Sequence, residues 1–292
     1  MSQEDSVSFN RVTIVGPGLL GASIGLALKE KGITKEIWVY LRDPQKKEAC
    51  ERSNWCEFAT LDLKEAVTGS DLVILCTPVT SILEQISKIA NWASPECLIT
   101  DVGSVKKNIC EKANEYFSAC RSHFIGSHPM AGSEKAGMKY ASAEILHGKN
   151  CIVTPYKEAN HQQVMRLSRL WEGLGMKVTK LDAVEHDILM SWISHLPHLV
   201  ASCLTKSVAT TDMKKIFLSG NGLRDTTRIA SGNPELWSQI LLENRNNLQG
   251  GINVMIENLQ MLKEILGKAD KPELVSFLQS AKEVRDQLNE HR

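Results

Sequence analysis

A chain of 292 residues is long enough for one large domain or two. Its 42% hydrophobic and 23% charged content is that of an ordinary globular protein, and 34 Lys+Arg balance 34 Asp+Glu. With no basic excess to neutralise a phosphate backbone or coat an anionic bilayer, neither nucleic acid nor a membrane is an expected partner.

The first ten residues, MSQEDSVSFN, are polar and have neither the basic start nor the apolar middle of a secretory leader. Short apolar, β-branched runs then follow at 11–15, 36–40, 72–76, 98–101, 124–126, 151–154 and 177–180. Amphipathic stretches at 22–31, 79–92, 106–120 and 159–174 separate most of them. This alternation, with strands apolar almost throughout, predicts a mostly parallel sheet covered on both faces, a doubly wound α/β domain. From Asp182 the strand signal ends. Residues 184–207 have helical apolar spacing, with Pro197 placed to kink or divide the helix. Gly220 and Gly222 punctuate the next segment, and Asn233-Pro234-Glu235 has the cap-then-proline pattern of a helix start. That helix is expected to run to about Leu266, and Pro272 opens a last one. We therefore expect a dinucleotide-binding domain over 1–180, followed by an all-helical substrate and dimerisation domain over 181–292 that can close the crevice beyond the strands' carboxyl ends.

The eight cysteines include no C-x-x-C pair, and Cys76 and Cys151 lie in apolar strand-like runs. Free thiols in a reducing, cytoplasmic compartment are expected.

Gly16-Pro17-Gly18-Leu19-Leu20-Gly21 follows the first strand and opens the first helix. Gly16 permits a tight turn, Gly18 lets a pyrophosphate approach the backbone, and Gly21 lets helix and strand pack closely. The helix N-terminus offers free N–H groups to the phosphates. An NAD site usually carries Asp or Glu at the end of the second strand; here that position holds Leu41, followed by Arg42 and Asp43. Arg42, aided by Lys46 or Lys47, suits a 2′-phosphate, whereas Asp43 serving a ribose is the other reading. NADP is favoured over NAD.

Downstream, the run from Ile125 to Glu134 delivers His128 from a strand onto a small-residue loop, and the run from Asp101 to Lys106 leaves another strand into a helix start. An imidazole and the hydroxyl of Ser104 at a sheet's carboxyl edge suit removal of an alcohol proton while hydride leaves the same carbon. His195 and His198 have i,i+3 spacing, but no third ligand stands at useful spacing, with His186 nine residues earlier, and no metal is expected. Trp237 reads equally as a pocket wall or a core residue.

These motifs together resemble the prephenate/arogenate dehydrogenase family of tyrosine biosynthesis. The resemblance rests on Gly16–Gly21 with Ser23, Cys76-Thr77-Pro78, Asp101–Lys106, Gly126–Glu134, Trp192–His198 and Gly222–Arg228, in the family's order. It implies oxidative decarboxylation of prephenate, with arogenate as the rival substrate. It further implies that His128 accepts the hydroxyl proton, that Ser104 orients His128, the hydroxyl or the nicotinamide, and that Arg228 pairs with the ring carboxylate. Ser194, His195 and His198 would face the substrate. Thr77 and Pro78 would join Gly16, Gly18, Leu19, Leu20, Gly21 and Arg42 around the cofactor, and Arg224 would be structural. Another two-domain hydroxyacid dehydrogenase, or a redox-sensing dinucleotide binder, is a further alternative. The first usually places a lysine base on the helical domain, and the second leaves Ser104, His128 and Arg228 without joint purpose.

Overall fold

The computed structural model describes residues 7–132, 135, 137–211 and 213–290. Strand β1 (Phe9–Val15) leads into α1 (Leu19–Glu30). Then come β2 (Thr34–Tyr40), α2 (Pro44–Glu51), β3 (Phe58–Thr60), α3 (Leu63–Val67), β4 (Leu72–Leu75), α4 (Val79–Trp92), β5 (Leu98–Asp101), α5 (Lys107–Phe117) and β6 (His123–Phe124). These six strands pair in parallel in the order β3-β2-β1-β4-β5-β6. The order reverses between β1 and β4, so the loops leaving their carboxyl ends part and open a crevice, the usual ligand position in such sheets.

Strand β1 shows why the sheet is covered on both faces. Val12 and Ile14 join one apolar cluster with Ile24, Leu28 and Ile37, whereas Val15 joins a second with Val73, Leu75 and Ile82. Thr13, buried among them, donates its hydroxyl to the Ala66 carbonyl oxygen at 2.6 Å, so no polar atom is stranded there. The doubly wound α/β architecture is as expected, with additions. β3 is only three residues at the sheet edge, and α2 buries only Cys50, so neither leaves a clear periodic trace in the sequence.

The strand expected over 124–126 is two strands. β6 closes the parallel sheet, and β7 (Gly126–Pro129) crosses to a second one, antiparallel to β8 (Asn150–Thr154). Gly126 permits the crossing, because a Cβ there would lie 2.5 Å from Thr154 Oγ1 and 2.7 Å from Cys110 Sγ. After β8, α6 (His161–Gly173) returns the chain to β9 (Lys177–Lys180), parallel to β8. His128 thus lies within β7, opposite Ile152, rather than on the following loop.

A single helix of 26 residues, Ala183–Val208, comes next. It comprises α7 (Ala183–Met190), a π turn over Ser191–His195 and α8 (Leu196–Val208). Of the two outcomes expected at Pro197, a kink or a division, division does not occur. The wider π turn ends at His195, two residues before the proline, so the proline ring and its missing N–H fall where the even ladder is already interrupted. By length and composition this helix would reach across a bilayer, yet His186, Asp187, Ser191, His195 and His198 are all buried along it. Helix α9 (Asn221–Thr227) and a 3-10 turn, Arg228–Ser231, lead to α10 (Pro234–Glu243), which Asn233 caps by accepting from Glu235 N at 2.9 Å.

The long helix expected to reach Leu266 is interrupted at Asn244, whose backbone leaves helical geometry while its side chain bonds elsewhere in the fold. By packing, the chain forms two compact units, Met1–Asn244 and Arg245–Arg292. The second is a helical hairpin of α11 (Arg245–Lys268) and α12 (Lys271–Glu290). All eight cysteines are free thiols.

Candidate active site

A cavity of about 850 Å³ opens over the carboxyl ends of β1 and β4, lined in part by Gly16, Gly18, Arg42, Thr77 and Pro78. Gly16 has φ +95°, and a Cβ there would lie 2.7 Å from Thr77 Cγ2. A Cβ on Gly21 would collide with the Gly16 carbonyl oxygen, so the turn and the helix start are pressed together. A Cβ on Gly18 meets nothing within 4 Å. Leu19 and Leu20 form the first turn of α1, and no side chain caps its N-terminus. Ser23 anchors this turn, donating to the Leu19 carbonyl at 2.8 Å and accepting from Ser142 N at 3.1 Å. Open space over Gly18, beside an uncapped helix N-terminus, fits a dinucleotide's pyrophosphate.

At the far lip, Leu41 is buried in the core, whereas Arg42 is exposed and lines the cavity. The Asp43 carboxylate is already engaged, accepting from Gln45 N at 3.0 Å as the cap of α2 and pairing with Lys46 at 3.3 Å.

A chain of buried polar contacts joins β7 to the 26-residue helix. His128 Nδ1 lies 2.9 Å from His186 Nε2, and His186 Nδ1 lies 2.8 Å from Asp187 Oδ1. A carboxylate only accepts, so His186 carries its proton on Nδ1 and accepts at Nε2; His128 then carries its proton on Nδ1, and its Nε2 is left with a lone pair. Burial, reinforced by the nearby His186, Lys106 and His195, holds His128 well below the ordinary histidine value of 6.5. Burial also lowers His186, against the opposing pull of its bond to Asp187. Asp187 additionally accepts from Lys106 N at 2.7 Å and Lys107 N at 3.0 Å, and so caps the start of α5.

Asn244 Nδ2 donates to the Asp187 carbonyl at 2.8 Å and to His195 Nδ1 at 2.9 Å. His195 therefore has its proton on Nε2, which is buried and directed at the Ser104 backbone. Burial lowers its pKa to about 4. His198 stacks flat on Trp237, and its bond to the Ile229 backbone leaves Nδ1 buried and unpartnered. Burial lowers His198 as well. An unpartnered buried polar atom costs about 1–3 kcal/mol, so His198 Nδ1 is an acceptor open to a polar ligand.

Not every expected residue joins these contacts. Ser104 and Ser194 are half-buried, and Arg228 and Arg224 are exposed. Ser133 and Glu134, the end of the histidine-bearing motif, lie outside the described residues.

The family model described as "Prephenate dehydrogenase, nucleotide-binding domain" matches residues 24–180, and "Prephenate dehydrogenase, dimerization domain" matches 182–280. The chain belongs to the prephenate dehydrogenase family. It is 32% identical to the Bacillus subtilis prephenate dehydrogenase, covering 95% of this chain and 76% of that protein. It is 30% identical to the Lactococcus lactis prephenate dehydrogenase, covering 97% of this chain and 78% of that one. Among solved structures it resembles prephenate dehydrogenase from A. aeolicus in complex with hydroxyphenyl propionate and NAD+. The TM-score is 0.88 at 30% identity, with 97% of this chain and 99% of that chain covered.

Within this family fold, four residues at the site carry no role in the sequence reading: His186, Asp187, Asn244 and Asp101. The adjacent pair His186-Asp187, two acid–base groups at the start of an apolar helix, is the one local signal of the four. Sequence reasoning weighed His186 only as a distant metal ligand. Asn244 gives no signal, since its role depends on the helix break it occupies.

Proposed function

We propose that the chain is an NAD(P)-dependent dehydrogenase that converts prephenate to 4-hydroxyphenylpyruvate and carbon dioxide, a step of tyrosine biosynthesis. The observation that carries this reading is the 2.9 Å contact between His128 Nδ1 and His186 Nε2, which commits the Nδ1 proton and leaves Nε2 its lone pair, in an imidazole that burial holds well below 6.5. Such a nitrogen takes the proton of the substrate's 4-hydroxyl. When bound, the nicotinamide cofactor takes up the hydrogen that leaves C4 with its electron pair.

The chain's own residues bind, orient and exclude water. Gly16, Gly18, Leu19, Leu20 and Gly21 hold the pyrophosphate, with Thr77 and Pro78 on the facing loop. Arg228 pairs with the ring carboxylate that departs, through a planar fork that Lys could not supply. Ser104 orients His128, the hydroxyl or the nicotinamide. Ser194, His195 and His198 take the substrate's polar groups, His198 offering the lone pair of Nδ1. Residues 1–180 hold the dinucleotide, and 181–292 supply the substrate side and the dimer contact. Exposed Ile252, Ile256 and Leu259 on α11, with Leu278 on α12, support a homodimer. NADP is the preferred cofactor, because Arg42 stands at the cavity while Asp43 is engaged as a cap. The free thiols support a cytoplasmic setting.

Initial rates with prephenate or arogenate, each with NADP or NAD, test the whole reading. Prephenate with NADP is expected to be fastest. Preference for NAD would return Arg42 to solvent, activity with arogenate alone would move the substrate, and silence in all four mixtures from folded protein would remove the enzyme assignment. His128→Ala should lose at least about 100-fold in kcat while still binding cofactor.

A further inference from the structure

We infer that His186 and Asp187 are positioning residues for the reaction, fixing which nitrogen of His128 is the base and in which direction it points. This inference rests on the proposed role of His128 and extends it to two residues that do not themselves meet the substrate. Asp187 accepts three hydrogen bonds through its carboxylate, from His186 Nδ1, Lys106 N and Lys107 N, and one through its carbonyl, from Asn244. Its orientation is therefore set by α5 and by the residue that ends α10. His186, fully buried, gives its Nδ1 proton to the Asp187 carboxylate, so Nε2 faces His128 as an acceptor. His128 must then donate from Nδ1, and its Nε2 is the nitrogen without a proton.

The logic is that of a carboxylate holding an imidazole in one tautomer, a role in which replacing the carboxylate by its amide costs about 10⁴-fold in a serine protease triad. Here a second imidazole is interposed. The charged and titratable groups packed around the pair are Asp187 from α7, Lys106 with its partner Asp101 from the β5–α5 connection, and His195 from the π turn. Burial, with Lys106, disfavours a positive charge on either imidazole, against the opposing pull of Asp187 and Asp101 on His186.

The first test needs no turnover. In protein labelled with nitrogen-15 histidine, the ring shifts of His128 should report a proton on Nδ1, and in His186→Phe the signal should move to the Nε2-protonated or mixed form. In steady state, His186→Phe should lower kcat by about 10²–10⁴-fold, leaving KM within about threefold, as expected when a group acts only in the transition state. His186→Gln keeps an acceptor oxygen and should regain about tenfold or more of that loss. Asp187→Asn should fall between the two, with cofactor binding retained.

A His128 ring protonated on Nε2 in the unmodified protein would overturn the inference, and so would a His186→Phe protein with unaltered kcat and unaltered ring shifts. Should the Phe variant not fold, the unmodified protein's ring shifts and the Gln variant still decide. If the unmodified protein turned over no substrate while His128 proved Nδ1-protonated, the proposed reaction would fall and the tautomer assignment alone would stand.

Discussion

Lys106 and Asp101 form an ion pair from which solvent is wholly excluded, with both side chains at 0% exposure. Asp101 also accepts from Gly103 N at 2.8 Å and Ser127 N at 3.3 Å, so it joins the end of β5 to the residue before His128. Replacing Lys106 by Met leaves that carboxylate buried without its counter-charge. We predict a loss of about 3–5 kcal/mol, read as a fall in the urea unfolding midpoint. A loss below about 1 kcal/mol would mean that the backbone donors alone satisfy Asp101.

The buried histidines predict how stability depends on pH. His128, His186, His195 and His198 are each lowered below 6.5, in every case chiefly by burial. Their neutral forms belong to the folded state, so below the unfolded value the unfolded chain binds more protons. Stability is therefore fully present above about pH 6.5 and is lost as pH falls toward the folded values. His195, at about 4, accounts for roughly 3 kcal/mol of this across the window. Urea melts at pH 7.5 and pH 5.0 should show a clearly lower midpoint at the acid value; equal midpoints would contradict the buried, neutral assignment.

Two glycines in the phosphate loop separate folding from binding. Gly18 is extended, and an added Cβ meets nothing, so Gly18→Ala should unfold at the native temperature while its affinity for the dinucleotide drops about tenfold or more, the cost of about 1.4 kcal/mol. Gly21→Ala sets a Cβ against the Gly16 carbonyl and should lower both the Tm and the affinity. Thermal melts with and without cofactor distinguish the two, and a Gly18→Ala protein that binds normally would place the pyrophosphate elsewhere.

Arg42→Ser tests the cofactor choice. A hydrogen-bonded guanidinium–phosphate contact contributes about 1.5–3 kcal/mol, so KM for NADP should rise about 10–100-fold with KM for NAD nearly unchanged. Equal effects on both cofactors would make Arg42 a general surface charge.

Much of this site was legible because it is local. The glycine loop, Thr77-Pro78 and the Asn233-Pro234 start each depend on a few consecutive residues and their backbone preferences. His128 stands out by its motif, although its place inside β7 does not, since the close packing of Gly126 against Cys110 and Thr154 joins residues distant in sequence. His186, Asp187 and Asn244 come together across β7, the long helix and the end of α10, and no periodicity in one dimension records that convergence. At Pro197, where a kink or a division is expected, the helix is not divided, for a related reason. The helix rule for proline assumes an even α-helix before it, and the preceding turn is not one.

That uneven turn sets the angular phase of everything after it. At about 100° per residue, side chains nine apart on a regular α-helix point to opposite sides, and His186 and His195 are nine apart. The π turn advances less per residue, and so brings His195 around toward the side on which His186 meets His128. Deleting one residue from Trp192 to Ser194 would restore an even helix in which the two imidazoles, then eight apart and about 80° from each other, would keep their common side. The turn thus lengthens the helix by a residue while leaving the buried side chains beyond it in phase with those before it.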